Sequence, residues 1–343
     1  MNNAKDIEDG RRWLGRLRVI WLLGLSALTI VVAWIMLVPG MGLGARIVDL
    51  RHLLGWAMLL VALLGCPLRR FRGSAWAAAW GVWACWPGWW LGLAPLSEVA
   101  SKADDSLRIG SANLLFGIPH PEPLGVWIDD QDLDVVALQE VLDSDRSKIN
   151  WPKVLRTWKD RFPYQWTIEH PHFGLALLSR VPFEPIDSQN LDAPGDEEHG
   201  RPWRLDVQLD WGAKGTRVVV VHPPRPGSAW RMGERRRFYR GLGDDLAGLE
   251  GRVVVLGDLN ATGASPLVRE LLERCRLDDT RLGFGRLATW SPDAVPDGWG
   301  PPLLALDHIF TRGIVARARG VGPAIRSDHY PVHAVLEQRL PGD

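Results

Sequence analysis

From Val19 to Val38 the chain carries twenty consecutive residues without a single charge. A helix rises about 1.5 Å per residue, so this run matches the roughly 30 Å hydrocarbon thickness of a bilayer. A surface helix of a water-soluble domain would need a polar face, and this segment has none. It is too long for the apolar core of a cleaved signal, and further apolar segments follow, so it reads as a retained span. Leu53–Leu68 is a second, shorter apolar run. Ser74–Leu96 is a third, crowded with Trp76, Trp80, Trp83, Trp86, Trp89 and Trp90. Tryptophan suits the membrane interface, and the glycines suit close helix packing.

Charge sets the orientation. Arg11, Arg12, Arg16 and Arg18 precede the first run, and Arg69, Arg70 and Arg72 lie between the second and third. Positive charge stays on the cytoplasmic side. Residues 1–18 are therefore expected in the cytoplasm, followed by three spans over 19–96 (about 19–38, 53–68 and 74–96). The remainder is expected on the periplasmic side of a cell inner membrane. No charge interrupts 19–38 or 74–96, which disfavours a transporter or channel. Ten of the chain's 40 Lys and Arg and five of its 40 Asp and Glu lie in residues 1–100. The rest holds 30 basic and 35 acidic residues, and so is not a general polyanion-binding surface. Of the three cysteines only Cys275 lies in this polar part, so no disulfide framework forms there.

Residues 97–106 read as a linker, and 107–338 as one mixed α/β domain. Strands are expected at 107–115, 135–139, 175–179, 205–209, 217–221, 253–256, 306–310 and 332–336. Helices are expected at 125–131, 229–249 and 265–274. Polar residues recur where strands end: Asn113, Glu140, His222, Asp258, Asn260 and Asp307. One sheet edge can gather them in a cleft. Hard oxygen ligands for a divalent cation, with histidines that meet negative charge, are the groups a metal-dependent attack on a phosphate ester needs.

Seven strings carry a resemblance. They are Ser-Ala-Asn113, Leu-Gln139-Glu140, Leu-Leu-Ser179-Arg180, Val-His222-Pro, Gly-Asp258-Leu-Asn260-Ala, Leu-Asp307-His-Ile and Ser327-Asp328-His329-Tyr-Pro. In this order they resemble the endonuclease/exonuclease/phosphatase superfamily, whose fold is like that of deoxyribonuclease I. The narrower resemblance is to bacterial membrane-anchored members. It implies a four-layer α/β/β/α sandwich, Mg²⁺ (or Mn²⁺), and in-line hydrolysis of a phosphodiester or phosphomonoester. Glu140 is then the principal metal ligand, with Asn113 and Asp328. Asp258 positions or deprotonates the attacking water, and Asn260 assists. His329 meets the phosphoryl oxygens, held by Asp307, and His222 is the second histidine there. Family members related to deoxyribonuclease pair that second histidine with a carboxylate, for which Glu169 is the nearest candidate. Arg231 and Arg235, four apart on one helix face, are candidates to clamp a substrate phosphate. The substrate class is nucleic acid or a phospholipid-like molecule, and the bilayer itself is a partner through the N-terminal helices. The competing reading is a non-catalytic envelope protein that uses the same fold as a binding module.

Overall fold

The computed structural model describes residues 2–37, 51–66, 71–92, 105–117, 120–142, 149–170, 173–186, 204–285, 287–291 and 302–339. They fall into two compact units, Met1–Trp90 and Leu91–Asp343.

Among the described residues the first unit contains three helices: α1 (Asn2–Leu37), α2 (Arg51–Gly65) and α3 (Phe71–Gly92). The Trp21 indole donates to Val61 O at 2.7 Å and ties α1 to α2. A Cβ on Gly81 would lie 2.9 Å from Gly55 O, so the missing side chain lets α3 approach α2 closely. Among the described residues one helix is long and apolar enough to cross a membrane, over Arg12–Val31, and Leu54–Gly65 is a shorter apolar helix. The expected three-span bundle thus has one helix of spanning length behind it. Residues 93–96 of the third expected span, and 97–104 of the expected linker, lie outside the described residues.

The second unit is built on two six-stranded mixed sheets. The first contains β1 (Leu107–Asn113), β2 (Val135–Gln139), β3 (Tyr164–Ile168), β4 (Leu175–Ser179), β11 (Ile314–Val321) and β12 (Val332–Gln338), in the order β11-β12-β1-β2-β4-β3. The second contains β5 (Phe183–Ile186), β6 (Arg204–Leu209), β7 (Thr216–Val221), β8 (Arg252–Asp258), β9 (Asp278–Asp279) and β10 (Asp307–Arg312), in the order β5-β6-β7-β8-β10-β9. Helices α4 (Pro121–Asp130) and α5 (Trp151–Thr157) cover the outer face of the first sheet through Trp127, Ile128 and Trp151. Helices α6 (Ala229–Gly248) and α7 (Pro266–Cys275) cover the second through Phe238, Leu242 and Leu271. The layers therefore run helix, sheet, sheet, helix.

The valine runs explain the layering. In β7, Val218 and Val220 enter the core between the sheets, while Val219 and Val221 face the helices. In β8, Val254 and Leu256 point inward, and Val253 and Val255 outward. A strand buried on both faces must be apolar throughout, and this removes the polar alternation of a surface strand.

Two charged clusters hold the second sheet. Asp206 is fully buried; its carboxylate accepts from Arg204 (Nη2 at 2.6 Å) and from Arg217 (Nη2 at 2.6 Å, Nε at 3.0 Å). Arg204 also donates to Asp245 on α6 at 2.5 Å. At the other end, Arg312 closes the C-termini of both outer helices. It donates to Leu246 O at 2.8 Å, Leu249 O at 2.8 Å and Cys275 O at 3.1 Å, carbonyls that a helix end leaves without partners.

Candidate active site

The two central strand pairs run parallel, β1 with β2 and β7 with β8, so their C-terminal ends share an edge. Strand β10 is antiparallel to β8, with Asp307 opposite Asp258, and starts where β8 stops. Residues that end or begin these strands are thereby brought together from both sheets. Local backbone aims them. Glu140 (φ +59°) and Asn260 (φ +50°) adopt left-handed conformations that turn the chain sharply as it leaves the strand. Each costs on the order of 1–2 kcal/mol, which the surrounding packing must offset. Gly257 has φ +141°, and a Cβ there would lie 2.1 Å from Val221 O, so only glycine fits between β7 and Asp258.

Asn113 Nδ2 donates to Asp258 Oδ2 at 3.0 Å and to Glu140 Oε1 at 3.3 Å, linking the sheets. The Phe116 amide donates to Glu140 Oε2 at 2.7 Å. His222 Nε2 lies 3.6 Å from both Glu140 Oε1 and Asp258 Oδ2. His329 Nε2 lies 3.7 Å from Asp258 Oδ2 and 3.9 Å from Asp328 Oδ1, while its Nδ1 is 2.8 Å from Asp307 Oδ2. The Asn260 amide N–H donates to Asp258 Oδ1 at 2.7 Å. Its side-chain Nδ2 donates instead to Pro223 O at 3.1 Å, so Asn260 braces the His222 loop as well as Asp258.

Thr289, Trp290 and Phe173 carry no recognisable sequence signal, and Ser327 opens the last of the seven strings. Thr289 Oγ1 donates to Asp307 Oδ2 at 2.6 Å and accepts the Leu306 amide at 3.1 Å. Trp290 Nε1 donates to Asp328 Oδ2 at 3.0 Å. Ser327 Oγ donates to Asn113 O at 2.8 Å and accepts the His329 amide at 3.1 Å. Phe173 packs its ring 6.1 Å from that of His222.

Two expectations are corrected. Arg235 is 1% exposed, and its Nη1 donates to Pro224 O at 2.7 Å. It clamps the loop after His222 from beneath and is not turned to an open cleft. Its neighbour Arg231 packs on the same loop, where a Cβ at Gly227 would meet Arg231 Cδ at 2.9 Å. The second correction concerns the carboxylate partner of His222. Glu169 is exposed, and among the described residues His222 Nδ1 is buried with no hydrogen-bond partner.

The electrostatics assign different protonation states to the two histidines. Burial pushes His222 below its ordinary value, against the attraction of Asp258, and the charges of His329 and Arg225 push it further. His222 is therefore neutral near pH 7. Burial also disfavours charge on His329, but Asp307, Asp258 and Asp328 outweigh it and lift the ring well above the ordinary value. His329 is thus a cation. Asp307 is the reverse case: burial opposes its charge, yet His329 and the hydrogen bonds from His329 and Thr289 hold it below the usual carboxylate range. Asp258 is raised, by burial first and by the charge of Asp307. Burial likewise raises Glu140.

One donor set is gathered among the described residues: Asp258, Asp307 and His329 offer ligand atoms within 4.8 Å of one another. It holds a proton on His329 between carboxylates, and a metal there would have to displace it. Glu140 and Asp328 offer further carboxylate oxygens of the kind a hard dication prefers, and the raised Glu140 carboxylate gains from a nearby positive charge. Asn113 turns its Nδ2 to Glu140, while its Oδ1 accepts the Leu115 amide at 2.9 Å.

A cleft of carboxylates and two histidines across the joined edges of an α/β/β/α sandwich defines a phosphoester hydrolase. The sequence matches the model of the Endonuclease/Exonuclease/phosphatase family over residues 110–329, and the chain belongs to that family. Among curated proteins none matches it. Solved structures share the fold. An endonuclease/exonuclease/phosphatase from Beutenbergia cavernae is 22% identical, with a TM-score of 0.50 over 68% of this chain and 72% of that one. A family protein from Bacteroides vulgatus is 19% identical, with a TM-score of 0.51 over 68% and 99%. D. rerio TDP2 complexed with single strand DNA product is 14% identical, with a TM-score of 0.52 over 68% and 100%.

Proposed function

We propose that the chain is a membrane-anchored, divalent-metal-dependent phosphoesterase that hydrolyses its substrate by in-line attack of water. The observation that carries this reading is the unbroken series of contacts Glu140–Asn113–Asp258–His329–Asp307, which spans both sheets. Asn113, Glu140 and Asp328 hold Mg²⁺ or Mn²⁺. The ion, when bound, supplies Lewis-acid neutralisation of the anionic ester and its leaving oxygen. Asp258, whose carboxyl is raised by burial, takes a proton from the attacking water, and the Asn260 amide fixes the rotamer in which it does so. His329, held as a cation by Asp307, donates to the phosphoryl oxygens, and neutral His222 hydrogen-bonds there from the other side. The substrate is nucleic acid or a phospholipid-like ester; the nucleic-acid branch draws on the single strand DNA product bound to D. rerio TDP2. Anchoring by α1 and the apolar segments after it makes the bilayer a partner and sets the catalytic unit on the periplasmic side. Catalytic-unit boundaries of 107–338, after a linker at 97–106, complete the reading.

The test is hydrolysis by the detergent-solubilised full chain with Mg²⁺, with Mn²⁺ and with a chelator. Plasmid DNA, single-stranded DNA, RNA, phospholipid vesicles and bis-p-nitrophenyl phosphate are the substrates. Metal-dependent turnover of at least one, lost in Glu140→Ala, is expected; equal rates in the chelated enzyme or in the variant would refute the mechanism. Paired cytoplasmic and periplasmic reporters fused after residue 105 test the side. A signal from the cytoplasmic reporter alone would overturn the placement.

The His329–Asp307 pair makes a signed pH prediction. Asp307 keeps His329 protonated above its ordinary range, so activity is fully present at neutral pH and falls as pH rises through the raised value. Asp307→Asn removes the main support of that charge. The alkaline limb of kcat/KM should then move toward lower pH, with a rate loss of roughly 10²-fold or more. An unmoved limb would mean that His329 does not act as the acid.

A further inference from the structure

The arginines after His222 are not equivalent. Arg235 is buried under the loop, Arg231 packs on Gly227, and Arg237 pairs with Glu234. Arg240 lies in a groove of about 100 Å³ against Leu267, Glu270 and Leu271 of α7. Arg225 differs from all of these. It is exposed, and among the described residues its side chain makes no hydrogen bond or ion pair. Its backbone is nevertheless fixed. Arg225 stands between Pro224 and Pro226; Asn260 holds Pro223 O at 3.1 Å and Arg235 holds Pro224 O at 2.7 Å. Proline limits φ on both sides, so the position loses little freedom when a ligand binds. It stands three residues after His222, whose Nε2 lies 3.6 Å from Glu140 and Asp258, on a loop that the cleft residue Asn260 holds.

We propose that Arg225 forms a second anion subsite at the mouth of the cleft, which takes a phosphate adjoining the ester to be cleaved. The inference rests on the reading of the cleft as a phosphoester site. A planar guanidinium pairs with phosphate through two parallel hydrogen bonds, and a pre-ordered loop delivers it without a folding cost. The prolines and the buried Arg235 thus fix the backbone from which this one exposed cation projects.

Calorimetry on the full chain with Mg²⁺ tests this, using thymidine 5′-monophosphate and thymidine 3′,5′-bisphosphate. Inositol 1-phosphate and inositol 1,4-bisphosphate form a parallel pair that separates a headgroup from a nucleotide as carrier of the second phosphate. In at least one pair the bisphosphate should bind about tenfold tighter, as one charge-assisted pair provides. Arg225→Gln should collapse that ratio to about one, and Arg225→Lys should restore part of it. Arg240→Gln, facing α7, should leave the ratio as it is. No preference in either pair, or a preference that survives Arg225→Gln, would overturn the subsite. Turnover without any Arg225 effect sinks the subsite alone. An Arg225-dependent ratio in a chain that hydrolyses nothing supports the subsite and sinks the hydrolytic reading.

Discussion

Glu140→Gln should abolish metal-dependent turnover while making the metal-free protein more stable. The two effects share one cause. Glu140 is buried, stands in a left-handed conformation, and burial raises its carboxyl above the usual range. A raised carboxyl means that the folded state disfavours the ionised form. Folding is therefore penalised at neutral pH, and the penalty is relieved as pH falls through the raised value. Glutamine keeps an oxygen for the Phe116 amide and has no charge to desolvate; it gives up the 3.3 Å bond accepted from Asn113, which keeps its shorter bond to Asp258. A gain on the order of 1 kcal/mol in the chelated protein is expected, which suits a residue kept for function at the expense of stability. The same exchange removes the principal anionic ligand, and a loss of roughly 10³ in kcat/KM should follow. Thermal denaturation with chelator, Mg²⁺ calorimetry and steady-state rates read the parts separately. A variant that still binds Mg²⁺ and turns over normally would remove Glu140 from the metal site.

The opposite outcome is expected at Asp206. This carboxylate is fully buried between Arg204 and Arg217, and Arg204 carries the link on to Asp245. Asp206→Ala leaves two guanidinium groups facing each other with little water to screen them. Breaking one side of such a buried cluster costs roughly 3–5 kcal/mol, or on the order of 10 °C in Tm for a unit of this size. Arg204 pairs with Val221, the residue before His222, so the loss should reach the cleft edge and lower kcat as well as Tm. Asp206→Ala combined with Arg217→Met should recover part of the loss, because the second change removes an uncompensated charge. A single variant that melts within about 2 °C of the parent would show that the cluster is not a stabilising element.

The central strands were legible in the sequence and the edges were not. β1, β2, β4, β7, β8, β10 and β12 lie where the apolar runs predict them, because strands buried on both faces must be apolar without interruption. The strands left unanticipated, β3, β5, β9 and β11, are the four sheet edges. An edge strand is half-exposed, as the pattern of Phe183–Ile186 shows, and its polar positions break the apolar run that marks a central strand. The site divides the same way. Glu140 and Asp258 stand at the ends of readable strands, so their convergence follows from parallel pairing. Thr289 and Trp290 sit in an irregular segment, and their roles arise from bridges to Leu304 and His329 that no local pattern encodes. Arg235 departs from its expected place because helical spacing gives the face a residue occupies but not which face is covered. The membrane segments are a different case: hydropathy alone speaks for them, and among the described residues one helix is of spanning length.

Asn113 and Glu140 come from the first sheet, while His222, Asp258 and Asp307 come from the second. The first-sheet half carries the proposed ligands Asn113, Glu140 and Asp328, and the second carries the proposed base Asp258, so neither half holds ligands and base together. Catalytic competence is thus a property of the seam, and it reports on the docking of the sheets and not on their formation. A collapsed folding intermediate with native strands but a loosened seam would have the secondary structure of the enzyme and none of its reactivity. The seam is thus a built-in safety interlock, which withholds reactivity until the two sheets have docked.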